Sequence, residues 1–73
     1  MTEEIEKLLK SKNRDDFYLG LNLITEDSIL FLNPEELYKI LLLSKFKFDS
    51  NHIYRLKRVF SKVNFNFKIY DFI

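Results

Sequence analysis

Residues 33–46, NPEELYKILLLSKF, constrain this chain more than any other stretch. The Asn33 side chain can accept a hydrogen bond from an otherwise unpaired N–H in a helical first turn. Pro34 suits the first helical position, where its missing N–H costs nothing and its φ is already helical. Glu35 and Glu36 put negative charge at the positive end of the helix dipole, and Glu36 stands three residues past the cap, as in a capping box. The helix that follows is apolar nearly all round. Leu37, Ile40, Leu41 and Ser44 form one stripe and Tyr38 and Leu42 a second, while Leu43 falls on the Glu36/Lys39 side that should face water. A helix with so little polar surface needs cover from several directions. The rest of the 73 residues must supply that cover, or a second molecule must.

The length predicts one domain over residues 1–73. A chain this short buries only about 60% of its unfolded surface, so its core is marginal. With no Cys there are no disulfides and no Cys-based zinc sites, which fits a reducing compartment. No apolar run approaches the roughly 18 residues of a membrane span; the longest are residues 29–32 and 40–43. The N-terminal TEEIEKLLK is acidic and amphipathic, unlike a secretory signal. The expectation is a cytoplasmic protein with no membrane partner. Phe, Ile, Lys, Asn and Tyr are abundant, Ala is absent, and Gly and Pro occur once each. That bias follows AT-rich codons and suggests an AT-rich genome, such as a low-GC bacterium, its phages or another mobile element.

Charge is unevenly placed. Residues 1–36 carry four basic and nine acidic side chains, a net of −5; residues 37–73 carry eight basic and two acidic, a net of +6. Either one half has an electrostatic role, or the halves attract each other within the fold or across a dimer.

In chain order, residues 2–13 read as a short amphipathic helix with Ile5, Leu8 and Leu9 on one face. Residues 13–16 read as a polar break. Residues 17–24 alternate, with Phe17, Leu19, Leu21 and Leu23 on one side and Tyr18, Gly20 and Asn22 on the other, which predicts a half-buried strand. Residues 25–28 give a turn signal and residues 29–32 a second, wholly apolar strand, a pair that favours a hairpin. The alternative is that residues 25–32 are one irregular segment entering the next helix. After the central helix, Asp49 or Ser50 caps a third helix to about residue 63, with Ile53, Leu56, Val59, Phe60 and Val63 as its apolar stripe. Residues 64–73 alternate again, with Phe65, Phe67 and Ile69 opposite Asn66, Lys68 and Tyr70, and predict a third strand. The expected fold is a small α+β domain of order α-β-β-α-α-β, with helices packed on one face of a three-stranded sheet.

The third helix carries the sharpest surface signal. Arg55, Arg58 and Lys62 share one face, flanked by Lys57 and His52. Such a stripe can neutralise phosphates, meet an acidic protein surface, or simply be solvated. The two helices around residues 34–46 and 50–63 have a helix-turn-helix outline, but the KFKFDS connection lacks the usual Gly and the net charge of +1 is far from that of a nucleic-acid binder. His52 is the only histidine, so a zinc site is unsupported; a nuclease pairing of His52 with Tyr54 and Arg55 has nothing else behind it. Asp15/Asp16 and Glu35/Glu36 are sequence neighbours and do not face a common catalytic centre. One Gly cannot make a phosphate loop. The aromatic residues outnumber what a small core needs, so some should anchor an interface; Tyr54, Leu43, Tyr70 and Phe72 are the places to look.

The sequence therefore points to a non-enzymatic binding protein without cofactor, metal or catalytic residues. The expected role is to regulate or inhibit another macromolecule by protein–protein contact, as a phage or mobile-element accessory protein would inhibit a host defence or replication enzyme. Its apolar content predicts a homodimer. The alternative is a DNA- or RNA-binding regulator using the basic helix at residues 50–63.

Overall fold

A computed structural model describes residues 2–73. Four α-helices follow one another: α1 (Thr2–Lys10), α2 (Arg14–Leu23), α3 (Pro34–Leu42) and α4 (Ser50–Ser61). Two 3-10 turns, Ser28–Phe31 and Ile69–Asp71, complete the regular structure, and there is no strand among the described residues. The expected α+β fold with its three-stranded sheet is thus replaced by an all-helical one.

The first correction is α2, expected as a strand. Asn13 caps it: its Oδ1 accepts from the N–H of Asp15 at 2.8 Å and of Asp16 at 3.3 Å. Asp15 and Asp16 then lie in the first turn, where the dipole favours them. The polar break was a helix start. Phe17, Gly20, Leu21 and Ile24 are buried, at helical spacing, whereas Leu19 and Leu23 of the apparent alternation are about half exposed. Gly20 is what lets α2 lie close on α1. A Cβ there would stand 3.0 Å from the Leu8 Cβ and 3.1 Å from the Leu9 Cδ2.

Residues 25–32 follow the irregular alternative. Thr25 N–H donates to Ser28 Oγ at 2.8 Å and Ser28 N–H to Thr25 Oγ1 at 3.0 Å, a reciprocal cap that opens the first 3-10 turn. Ile29 and Leu32 go into the core three residues apart, and Leu30 and Phe31 stay outside. The wholly apolar run is therefore not a strand buried on both faces.

α3 begins as its sequence dictates, with Asn33 Oδ1 accepting from Glu36 N–H at 3.2 Å. It stops at Leu42, four residues before the expected end. Leu43 N–H turns back to the carbonyls of Lys39 and Ile40, and the Ser44 hydroxyl accepts from Phe46 N–H at 3.1 Å. Asp49 caps α4 by accepting from His52 N–H at 2.9 Å.

The third expected strand is the C-terminal tail. Asn64 has a positive φ of 58° and sits at the helix exit, where Asn64 N–H donates to Ser61 O and Phe65 N–H to Phe60 O. These two bonds are a Schellman cap, completed by the Phe60 and Phe65 rings at 5.3 Å. The tail then returns over the core. Phe67 is fully buried and Phe65 and Ile69 partly, while Asn66, Lys68 and Tyr70 are exposed. The alternation marks two faces, but side chains take the place of a sheet ladder. Lys68 N–H donates to Tyr38 Oη at 3.2 Å, and Lys57 Nζ to Phe67 O at 3.3 Å. Tyr38 donates in turn to Asp71, and its burial, then that bond, hold its phenol above the ordinary tyrosine range.

Among the described residues the core contains no buried polar residue. It runs from Ile5 and Leu9 through Phe17 and Leu21, Leu37 and Leu41, to Leu56, Phe60 and Phe67. Most aromatics belong to it as one network of ring contacts: Tyr18 to Phe17, Phe17 to Phe46 and Phe48, Phe48 to Phe72, Phe72 to Phe67 at 4.8 Å, Phe67 to Tyr38 and Phe60, and Phe60 to Phe65.

Candidate interaction surface

The basic stripe of α4 is largely committed to the fold. α2 has no basic residue in its own last turn. Arg55 supplies one from α4: Nη1 donates to Ile24 O and Nη2 to Leu21 O, both at 2.7 Å. The guanidinium gives Ile24 O a donor, adds a second to Leu21 O, which already accepts from Ile24 N–H, and opposes the dipole. Desolvation, and then the nearby Arg58 charge, lower the Arg55 pKa from its ordinary value. Arg58 Nε lies 3.2 Å from Glu26 Oε1, and Lys62 Nζ 3.5 Å from Glu26 Oε2. Lys57 reaches the tail carbonyl already described.

His52 is also a packing residue. Its ring stacks on Tyr18 at 5.5 Å. Its Nδ1 is 3.1 Å from Asp49 Oδ1, within ion-pair distance, but buried and not aligned for a hydrogen bond. Phe72 lies between Phe48 and Phe67, so it serves the core first. Tyr54 and Tyr70 are exposed, and Leu43 is exposed at 83%.

Of the expected set, Leu43 borders one groove and Phe72 a second. An open groove of about 530 Å³ lies where the C-terminal ends of α1 and α3 meet. Leu9 and Ile40 are buried beneath it, Phe46 is half-buried at its side, and Leu43 stands exposed at its lip. Lys10, Lys12 and Lys45 also line it, with Ser11 and Ser44 between them. All three lysines are exposed, and among the described residues none lies within 4.0 Å of a carboxylate. No carboxylate or histidine is among the described residues that line the groove, and the Ser11 hydroxyl donates to Asp16 at 2.9 Å. A second groove of about 460 Å³ shares Ser44, Lys45 and Phe46 and continues past Leu42 to Asp71, Phe72 and Ile73.

The structure therefore splits the expected set. Arg55, Arg58, Lys62, Lys57 and His52 gather along α4 and contact the rest of the chain. Leu43 joins residues that the sequence did not single out: Lys10, Lys12, Lys45 and the groove wall. A signal was there, in KSK from the last residue of α1 and LSK directly after α3, but only tertiary packing puts the two together. An apolar wall with ammonium groups around it is a surface that can bind. Among the described residues no three of His, Asp and Glu come together to hold a metal ion, and no helix is long and apolar enough to cross a membrane. The chain matches no known protein family, no curated protein and no solved structure.

Proposed function

We propose that this chain is a non-enzymatic binding protein that regulates or inhibits another protein by contact, and that the contact is made in the groove between the ends of α1 and α3. The supporting observation is Leu43. A single exposed leucine is ordinary, but this one stands 83% exposed at the lip of an apolar groove with three unpaired lysines around it. Anchors of this kind carry most of the binding energy when a partner closes over them. The AT-rich composition makes a phage or mobile-element accessory protein the natural setting, with a host enzyme as target. Nucleic-acid binding through α4 has less support, because Arg55, Arg58 and Lys62 already have partners within the chain. A homodimer remains part of the proposal, carried by Leu30 and Phe31, which are 62% and 76% exposed side by side on the first 3-10 turn.

The test is a pull-down from low-GC host lysate with and without nuclease, using the chain and its Leu43→Ser variant in parallel. A stoichiometric protein that survives nuclease and is lost with Leu43→Ser is the expected result. Recovery of nucleic acid alone, lost at high salt, would overturn it. Sedimentation over a range of concentrations tests the dimer; a species of 8.9 kDa at every concentration contradicts it.

A further inference from the structure

Resting on the groove as the contact site, we infer that its occupant is an acidic amphipathic segment of a partner protein, with apolar side chains seated beside Leu43 and carboxylates on Lys10, Lys12 and Lys45. Charge decides the class. Among the described residues the groove lining carries three ammonium groups and no carboxylate, and none of the three has a carboxylate partner, although the chain as a whole is nearly neutral at +1. Helix ends do favour lysine, but the dipole effect fades beyond the last turn. Lys10 is the final residue of α1, whereas Lys12 lies two residues past it and Lys45 three past the end of α3. Dipole compensation therefore accounts for Lys10 and not for the other two. A neutral or basic segment would leave three charges against an apolar surface with no counterion from the partner. An acidic one pairs them while its apolar side meets Leu9, Ile40, Leu43 and Phe46, the helix-in-groove mode in which one face anchors and the other is solvated.

The experiment is selection of displayed random peptides about 16 residues long, enough for about four helical turns, on the immobilised chain. Three variants are then titrated with the enriched peptides: Leu43→Ser, the triple Lys10→Gln/Lys12→Gln/Lys45→Gln, and the triple Lys10→Arg/Lys12→Arg/Lys45→Arg. All these positions are exposed, and far-UV circular dichroism checks that each variant stays helical. The expected result is enrichment of peptides that combine leucine-like anchors at helical spacing with several Asp or Glu. Their affinity should fall about 30-fold with Leu43→Ser, fall about tenfold with the Gln triple, and hold in the Arg triple. Enriched peptides without acidic bias that are nonetheless lost with Leu43→Ser would overturn the acidic occupant and leave the groove as contact site. Enrichment indifferent to all three variants, or no enrichment, would overturn both. Self-association abolished by Leu43→Ser would assign the groove to a second copy and overturn the inference.

Discussion

The α4 stripe and the α1–α3 groove both present cations, and they use them in opposite ways. On α4, Arg55 closes the end of α2, and Arg58 and Lys62 meet Glu26. At the groove, Lys10, Lys12 and Lys45 meet no carboxylate among the described residues. The regular stripe, which looks most like a binding face in the sequence, is already engaged within the chain, firmly through Arg55 and weakly through the exposed pairs of Arg58 and Lys62. The scattered lysines share no helix face, have no carboxylate partner among the described residues, and are the ones the proposed contact would use. Spacing along a helix reveals that charges share a face; it does not reveal whether another part of the chain has already used that face.

The contrast is most exposed at Arg55. Arg55→Ala removes two donors from half-buried carbonyls, and hydrogen bonds to a charged group are worth about 1.5–3 kcal/mol each at most. The expected loss is about 2–3 kcal/mol, which for a domain of this size lowers Tm by more than about 10 °C. Thermal denaturation reads it. Arg55→Lys should recover only part, since an ammonium does not reproduce the forked pair of bonds. A fully stable Arg55→Ala variant would mean that α4 is not a structural face.

Leu43→Ser is the complementary case. It should leave stability within about 0.5 kcal/mol, as surface changes do, and yet remove partner binding. A marked drop in Tm would place Leu43 in the fold rather than at an interface. Glu26→Gln frees Arg58 and Lys62. Because both pairs are substantially exposed, the expected cost is below about 1 kcal/mol and shrinks further in high salt. The same variant sharpens the comparison: if α4 were a nucleic-acid face, releasing two cations would strengthen DNA binding, and fluorescence anisotropy with a labelled duplex should instead show no gain. The smallest effect is expected from the Gln triple at the groove, which should change Tm by about 1–2 °C at most, because no intramolecular partner is lost.

Much of the fold was legible where a cap announces a helix. Asn33, Pro34 and Glu36 announced the start of α3, and Asp49 or Ser50 that of α4, where Asp49 is the cap. The same signal at Asn13, Asp15 and Asp16 was outweighed by the run Phe17, Leu19, Leu21, Leu23, whose alternation hid the helical set Phe17, Gly20, Leu21, Ile24. Gly20 hid it best. It is silent in an apolar count, yet its missing Cβ is what α1 packs against. In the tail, alternation named the buried side chains correctly, but a strand also needs a partner strand, and Tyr38 and Lys57 serve the backbone instead. The candidate site was legible only at Leu43, because it fell on the wet side of an otherwise apolar helix. Lys12 and Lys45 are far apart in sequence and lie outside any helix, so no periodicity could join them.

The central claim is that the groove, not α4, meets the partner. It is tested most directly by titrating one captured partner against two variants side by side, Leu43→Ser and the double Arg58→Ala/Lys62→Ala. Affinity should fall about 30-fold with the first and stay within about twofold with the second. Binding that survives Leu43→Ser and collapses with the double α4 variant would contradict the account.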